Sequence, residues 1–233
     1  AFEQAAKLGP KDAGPLRMLG RVHLDAGDVD KALAAYDRGL KRQPTFVPLM
    51  LDRAEVLGRL KRTPAAVDQA LAAERLAPRV PDVLLRVADV LQGAQRWDDA
   101  QKRYLQVMEL APKQPVAYNN LAWMTVERKG DISKAVAWAR QATALGNQSA
   151  AFHDTLGWAL RASGDLKGAA ASLEEAVRLD RKTARYHFHL GAVRADQNDH
   201  AAARKALQMA LDLDAKFNEA DQARRLLADL PKS

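Results

Sequence analysis

The chain has 233 residues, no cysteine and a net charge of +7. An apolar content of 48% excludes a disordered chain, the lack of cysteine excludes a disulfide frame, and no run of residues is long and apolar enough to span a membrane as a helix. Basic side chains outnumber acidic ones by 19 to 15 in residues 1–116 and by 17 to 14 in residues 117–233, so the excess is spread out and no nucleic-acid-binding face is expected.

Taken in chain order, residues 1–12 read as the second helix of a repeat whose first helix is absent, followed by an exit at Pro10. The chain is expected to be a piece of a longer protein, with any targeting segment outside it. Repeat one, 13–46, carries Leu16, Leu19, Gly20 and Leu24 at helical spacing, then a turn at Ala26-Gly27-Asp28, then Ala32, Tyr36 and Gly39 on a second helix. Repeat two, 47–80, turns through Leu60-Lys61-Arg62-Thr63-Pro64 without glycine. Repeat three is 81–114. Repeat four, 115–149, holds one extra residue, in its first helix or turn near Lys129. Repeats five and six are 150–183 and 184–217. Residues 218–233 form a capping helix with a polar side, which keeps a stack soluble, and Leu230-Pro231-Lys232-Ser233 reads as a C-terminus.

Four series carry this division. Pro10, Pro44, Pro78 and Pro112 are each 34 residues apart. A small residue recurs as Gly20, Ala54, Ala88, Ala122, Gly157 and Gly191. The other two run Phe2, Tyr36, Ala70, Tyr104, Ala139, Leu173, Leu207 and Ala5, Gly39, Ala73, Val107, Ala142, Ala176, Ala210. Self-similarity at this period signals a stacked array in which each unit buries its apolar face on its neighbours. An all-α solenoid of helix pairs is the fold class expected, as one array over 1–233.

The Leu-Gly pairs at 19–20, 156–157 and 190–191, Ala32-x3-Tyr36, Ala100-x3-Tyr104 and the exit prolines resemble the tetratricopeptide repeat over essentially the whole chain. The resemblance implies antiparallel helix pairs stacked into a right-handed superhelix with the first helices lining a concave groove. More narrowly, Asn119-Asn120-Leu121-Ala122-Trp123, Asp154-Thr155-Leu156-Gly157-Trp158 and Tyr186-His187-Phe188-His189-Leu190 resemble repeat proteins, often lipoproteins, of bacterial exopolysaccharide and PEP-CTERM envelope systems. That resemblance implies a periplasmic or outer-membrane location and a role in polymer export or assembly.

No catalytic constellation is legible: there is no phosphate loop and no Gly-x-Ser-x-Gly elbow. His187 and His189 are two residues apart on a helix and diverge, unlike a metal-binding i, i+4 pair, and His153 and His187 occupy a packing position. No enzyme activity, cofactor or metal is expected. Asp98, Asp131, Asp165 and Asp199 read as helix starts.

In the family resembled, certain first-helix positions face the groove. In this chain they are Arg17, Arg21, Leu51, Glu55, Leu85, Asp89, Asn119, Trp123, Asp154, Trp158, Arg161, Arg185 and Phe188. Arg17, Arg21, Asn119, Trp123, Asp154, Trp158, Arg161 and Phe188 are the candidate binding residues among them. Trp123, Trp158 and Phe188 would form an aromatic strip, with Asn119 and Asp154 as polar contacts to a ligand backbone. The alternative is that each Trp only supports the stack. The paired Lys and Asn of chaperone-tail binders and the Asn ladder of sugar-transferase repeats are both absent; the ladder positions hold Met18, Asp52, Arg86, Asn120, Thr155 and His189.

The function expected is a scaffold that binds a protein or peptide segment in the groove. The rivals are a polysaccharide-contacting module of an export complex and a passive spacer. Self-association is expected through Phe2, Ala5 and Leu8, left uncovered at the truncated end.

Overall fold

The computed structural model describes residues 2–4, 9 and 11–231, and these contain helices and no strand. Thirteen complete helices follow residue 13. They are α1 (Gly14–Asp25), α2 (Val29–Arg42), α3 (Val47–Arg59), α4 (Thr63–Leu76), α5 (Pro81–Gly93), α6 (Trp97–Leu110), α7 (Pro115–Glu127), α8 (Ile132–Leu145), α9 (Ala150–Ser163), α10 (Leu166–Leu179), α11 (Ala184–Asp196), α12 (His200–Leu213) and α13 (Ala220–Asp229). The chain divides into two compact units, residues 1–111 and 112–233. In the first unit α1/α2, α3/α4 and α5/α6 are antiparallel pairs, and the odd-numbered helices also touch one another in succession. The second unit repeats this with α7/α8, α9/α10 and α11/α12, closed by α13.

Each pair is joined by a turn that needs one residue in the left-handed region. Gly27 (φ 80°) and Gly164 (φ 87°) supply it without a Cβ penalty, whereas Lys61, Gln95, Lys129 and Asn198 adopt it at φ 53–61°. In five of the pairs the next helix starts two residues later. After Lys129 it starts three residues later, because Gly130 stands between Lys129 and the helix-capping Asp131. Gly130 is therefore the residue that lengthens one period. Asp131, Asp165 and Asp199 accept from the backbone N–H of Lys134, Gly168 and Ala202. Two aspartates at helix starts make no such cap. Asp98 lies inside the first turn of α6, and the carboxylate of Asp28 takes Lys31 Nζ at 2.8 Å in place of a backbone donor.

The small-residue series packs face to face with the Tyr36/Ala70/Tyr104 series. A Cβ on Gly20 would lie 2.1 Å from Tyr36 Cε1, and one on Gly157 would lie 2.5 Å from Leu173 Cγ. Ala54 and Ala122 stand where the partner position is itself alanine, Ala70 and Ala139. Gly20, Gly157 and Gly191 each meet a large side chain of the second helix, Tyr36, Leu173 and Leu207, while Ala88 keeps its Cβ opposite Tyr104; both sets are fully buried. α13 buries Ala220 and Ala223, and with Leu230 it covers Phe188, Leu207 and Ala210. At the other end Phe2 is half-buried, while Ala5 and Leu8 lie outside the described residues.

Candidate binding surface

The position two residues before the small residue carries the most specific interactions in both units. In residues 1–111 it holds Asp52 on α3 and Arg86 on α5. Arg17 Nε donates to Asp52 Oδ2 at 2.6 Å, Arg86 Nη2 to Asp52 Oδ1 at 2.6 Å, and Arg86 Nε to Glu55 Oε1 at 2.6 Å. Three successive first helices are thereby tied by one nearly buried carboxylate, a geometry in which both oxygens are satisfied by charge-assisted bonds. Beside this chain lies a cleft of about 390 Å³ lined by Arg17, Arg21, Tyr36, Asp52, Glu55 and Arg59 among others.

Tyr36 and Tyr104 hold the same place in their repeats and differ in their partners. Tyr104 Oη donates within reach of Asp89 Oδ1 (2.7 Å) and Gln92 Oε1 (2.9 Å). The residues equivalent to Asp89 and Gln92 in repeat one are Arg21 and Leu24, and the Tyr36 hydroxyl is buried with no hydrogen-bond partner. Burial, reinforced by the Asp52 carboxylate, pushes its phenol from 10.0 up to about 12, so it remains a donor at neutral pH.

In residues 112–233 the corresponding surface is aromatic. His189 stacks on Trp158 with ring centroids 4.0 Å apart and lies 5.8 Å from Trp123. The guanidinium of Arg161 sits 4.6 Å over Trp158 and that of Arg185 sits 5.2 Å over Trp123. The result is a column Arg185–Trp123–His189–Trp158–Arg161 drawn from α7, α9 and α11. His189 Nδ1 meets Asp154 Oδ1 at 2.6 Å, with His189 1% and Asp154 0% exposed. Arg185 Nε approaches the other Asp154 oxygen at 3.3 Å, and Asp196 holds Arg161 at 2.6 Å.

Among the expected groove residues, Trp123 and Trp158 are half-buried and belong to this column, as do Arg161 and Arg185. Arg17 is engaged by Asp52, while Arg21 is exposed. Three expectations are corrected. Phe188 is 4% exposed and packs beneath α13 on Ala203, Leu207 and Phe217, because its helix turns it to the core; its ring lies 6.4 Å from Trp158, but the ring that extends the Trp pair at the surface of the column is that of His189. Asp154 is wholly buried and spent on His189 and Arg185, so it faces no ligand backbone. Leu51 is buried at 2%, in the core of its unit. Asn119 donates to Asn120 Oδ1 at 3.1 Å, and its own Oδ1 is buried without a partner.

His153 and His187 do not pack as the equivalent Leu16 and Leu84 do. Their Nε2 atoms meet the carbonyls of Asn147 (2.9 Å) and Arg181 (3.0 Å), six residues back, and Tyr118 Oη reaches Pro112 in the same way. Among the described residues no three His, Cys, Asp or Glu side chains are grouped to hold a metal ion, and no helix is long and apolar enough to cross a membrane.

The tetratricopeptide repeat family profile matches residues 1–45, 17–81, 85–150 and 155–217. RNA polymerase II-associated protein 3 of Rattus norvegicus is 27% identical over 119 residues, which are 51% of this chain and 18% of that protein. A chain of the APC/C hetero-tetramer Cut9–Hcn1 superposes with a TM-score of 0.86 at 18% identity, over 99% of this chain and 45% of that chain. PilF of Pseudomonas aeruginosa superposes with a TM-score of 0.74 at 16% identity, over 91% of this chain and 96% of that one. The chain spans less than half the length of the first two, and the structural likenesses at these identities concern the fold. With helix pairs of this spacing and a profile match over most of its length, the chain belongs to the tetratricopeptide repeat family.

Proposed function

We propose that the protein is a non-catalytic interaction scaffold that holds a segment of a partner protein against the first helices of its repeats. The observation that carries this reading is the Arg185–Trp123–His189–Trp158–Arg161 column. Its rings are locked by stacking and by the buried Asp154–His189 pair, yet Trp123 and Trp158 keep part of their surface open. Rigid, partly exposed aromatic and Arg side chains are what anchors at protein interfaces consist of, and such anchors contribute about 2 kcal/mol or more each. The Cut9–Hcn1 assembly, whose fold is similar, is a precedent for such a repeat array engaging a protein partner.

The test replaces Trp123 and Trp158 singly by alanine and measures melting temperature and partner affinity together. Affinity falling by more than tenfold with little change in melting temperature supports the reading. Affinity retained in the folded fraction, with a large drop in melting temperature, assigns the rings to packing.

The envelope placement, with a role in exopolysaccharide export, rests on the motif residues 119–123, 154–158 and 186–190. Calorimetry with envelope proteins against oligosaccharides separates a protein ligand from direct sugar stacking on the two Trp rings. Self-association through the N-terminal segment is checked by sedimentation at increasing concentration; a monomer throughout removes it.

A further inference from the structure

Trp123 on α7 and Trp158 on α9 hold corresponding places in adjacent repeats, and both keep the same kind of surface open. His189 and the Arg161 guanidinium lie against Trp158, and the Arg185 guanidinium lies over Trp123, so contact with a partner falls to the edges of the two rings. Each edge carries an indole N–H. Among the described residues neither Nε1 has a hydrogen-bond partner, and neither is closed off from solvent. The surface around the two edges offers no free acceptor in return. Asp154, Thr155 and His189 are 0%, 3% and 1% exposed, Asn119 Oδ1 is buried, and the Asp196 carboxylate is taken by Arg161. The carboxylate of α7, Glu127, unpaired among the described residues, lies one turn beyond Trp123. The strip thus presents donors without acceptors.

An extended segment of ordinary residues laid on such a strip buries backbone N–H groups that find nothing to donate to, at a cost in free energy. Proline has no N–H to lose. In a polyproline II helix the carbonyls are free to accept, because that helix has no internal hydrogen bonds. The spacing agrees. The centroids of Trp123 and Trp158 lie 5.8 and 4.0 Å from that of His189, which puts the two rings within about 10 Å of one another. One polyproline II turn of three residues advances about 9 Å. Charge agrees as well, since Arg161 is balanced by Asp196 and Arg185 by Asp154, and the segment needs no charge of its own. We propose that this strip receives a proline-rich segment of a partner protein in the polyproline II conformation, with Trp123 Nε1–H and Trp158 Nε1–H donating to carbonyls one turn apart. The inference rests on the scaffold reading and names the class of segment held there.

The experiment titrates the ¹⁵N-labelled chain with acetyl-hexaproline-amide, with acetyl-Ala-Gln-Ala-Gln-Ala-Gln-amide and with maltohexaose, following the indole N–H resonances by NMR. The chain has four tryptophans, so Trp97 and Trp138 serve as internal controls. The expected result is saturable shifts at Trp123 and Trp158 with the proline peptide, none at Trp97 and Trp138, and affinity for the Ala-Gln peptide at least tenfold lower. The proline affinity should change little between low and physiological salt, because no net charge is engaged. Trp123→Phe and Trp158→Phe keep a ring in the column and remove only the N–H edge. Each should weaken proline binding by about fivefold, as expected for the loss of one hydrogen bond. No shift at either ring with the proline peptide, equal binding of the Ala-Gln peptide, tighter binding of maltohexaose, or unchanged affinity in both Phe variants would each overturn the proposal. Capture of a proline-free protein segment by the same two rings overturns the polyproline class and leaves the scaffold reading standing; that reading fails separately, when Trp123→Ala and Trp158→Ala leave partner affinity unchanged.

Discussion

Replacing His189 by leucine leaves Asp154 at full burial with its Nδ1 partner gone and only Arg185, at 3.3 Å, beside it. Breaking one side of a buried pair strands a charge, so His189→Leu is expected to lower stability by about 3 kcal/mol in urea denaturation. Replacing Asp154 by leucine as well should recover much of that loss, since removing both partners removes the stranded charge. Tyr36 gives a second expectation at this scale. Its phenol is raised from 10.0 to about 12 in the folded chain, so the folded state favours the neutral form. The stability this brings is full below pH 10 and is lost as the pH climbs from about 10 towards 12. Alkaline unfolding followed by circular dichroism should show that loss, and Tyr36→Phe should reduce it. Neither pairing was legible from single residues. Asp52 with Arg17 and Arg86, and Asp154 with His189, become visible only when opposite charges are compared one repeat apart, 34 or 35 residues away. His189 read as one of two diverging histidines, and the sequence pattern carried no sign that its ring stacks on Trp158 and lies against Trp123, each from another repeat.

At the scale of the helix pair the sequence was more informative, because packing there repeats with the chain. The small-residue series marks where first and second helices cross, and Gly157 shows why. Gly157→Ala gains helix propensity of about 1 kcal/mol but drives a Cβ to within 2.5 Å of Leu173 Cγ and 3.1 Å of the Ala169 carbonyl oxygen. Overpacking of this kind outweighs the gain, and a net loss of about 1–2 kcal/mol is expected by thermal denaturation. The turns offer the opposite case. Gln95 holds φ 60° with a side chain that the left-handed region disfavours, so Gln95→Gly should stabilise by up to about 1 kcal/mol. The single irregular period is explained by Gly130, which lengthens one turn and leaves the flanking helices intact. Phe188 was misplaced because α11 turns it under α13, an element whose docking site no periodic pattern specifies.

For the whole molecule, fold class followed from the period, since each helix pair needs a neighbour to bury its apolar face. The binding surface did not follow in the same way. Positions that face the groove in this family are partly occupied here by side chains already bonded to one another across repeats, Arg17 to Asp52 and Asp154 to His189 among them. What remains open differs between the units: the exposed guanidiniums of Arg21 and Arg59 in residues 1–111, and two half-buried tryptophans in residues 112–233. A scaffold reading therefore predicts that binding and stability respond to different substitutions. The most direct test is to identify a protein captured by the intact chain and measure its affinity, by calorimetry, for the wild type, Trp123→Ala and Trp158→Ala, each confirmed folded by its melting curve. The account predicts affinity reduced by more than tenfold in at least one variant while the melting temperature moves little, in keeping with an aromatic anchor worth about 2 kcal/mol. Unchanged affinity in both folded variants would contradict it.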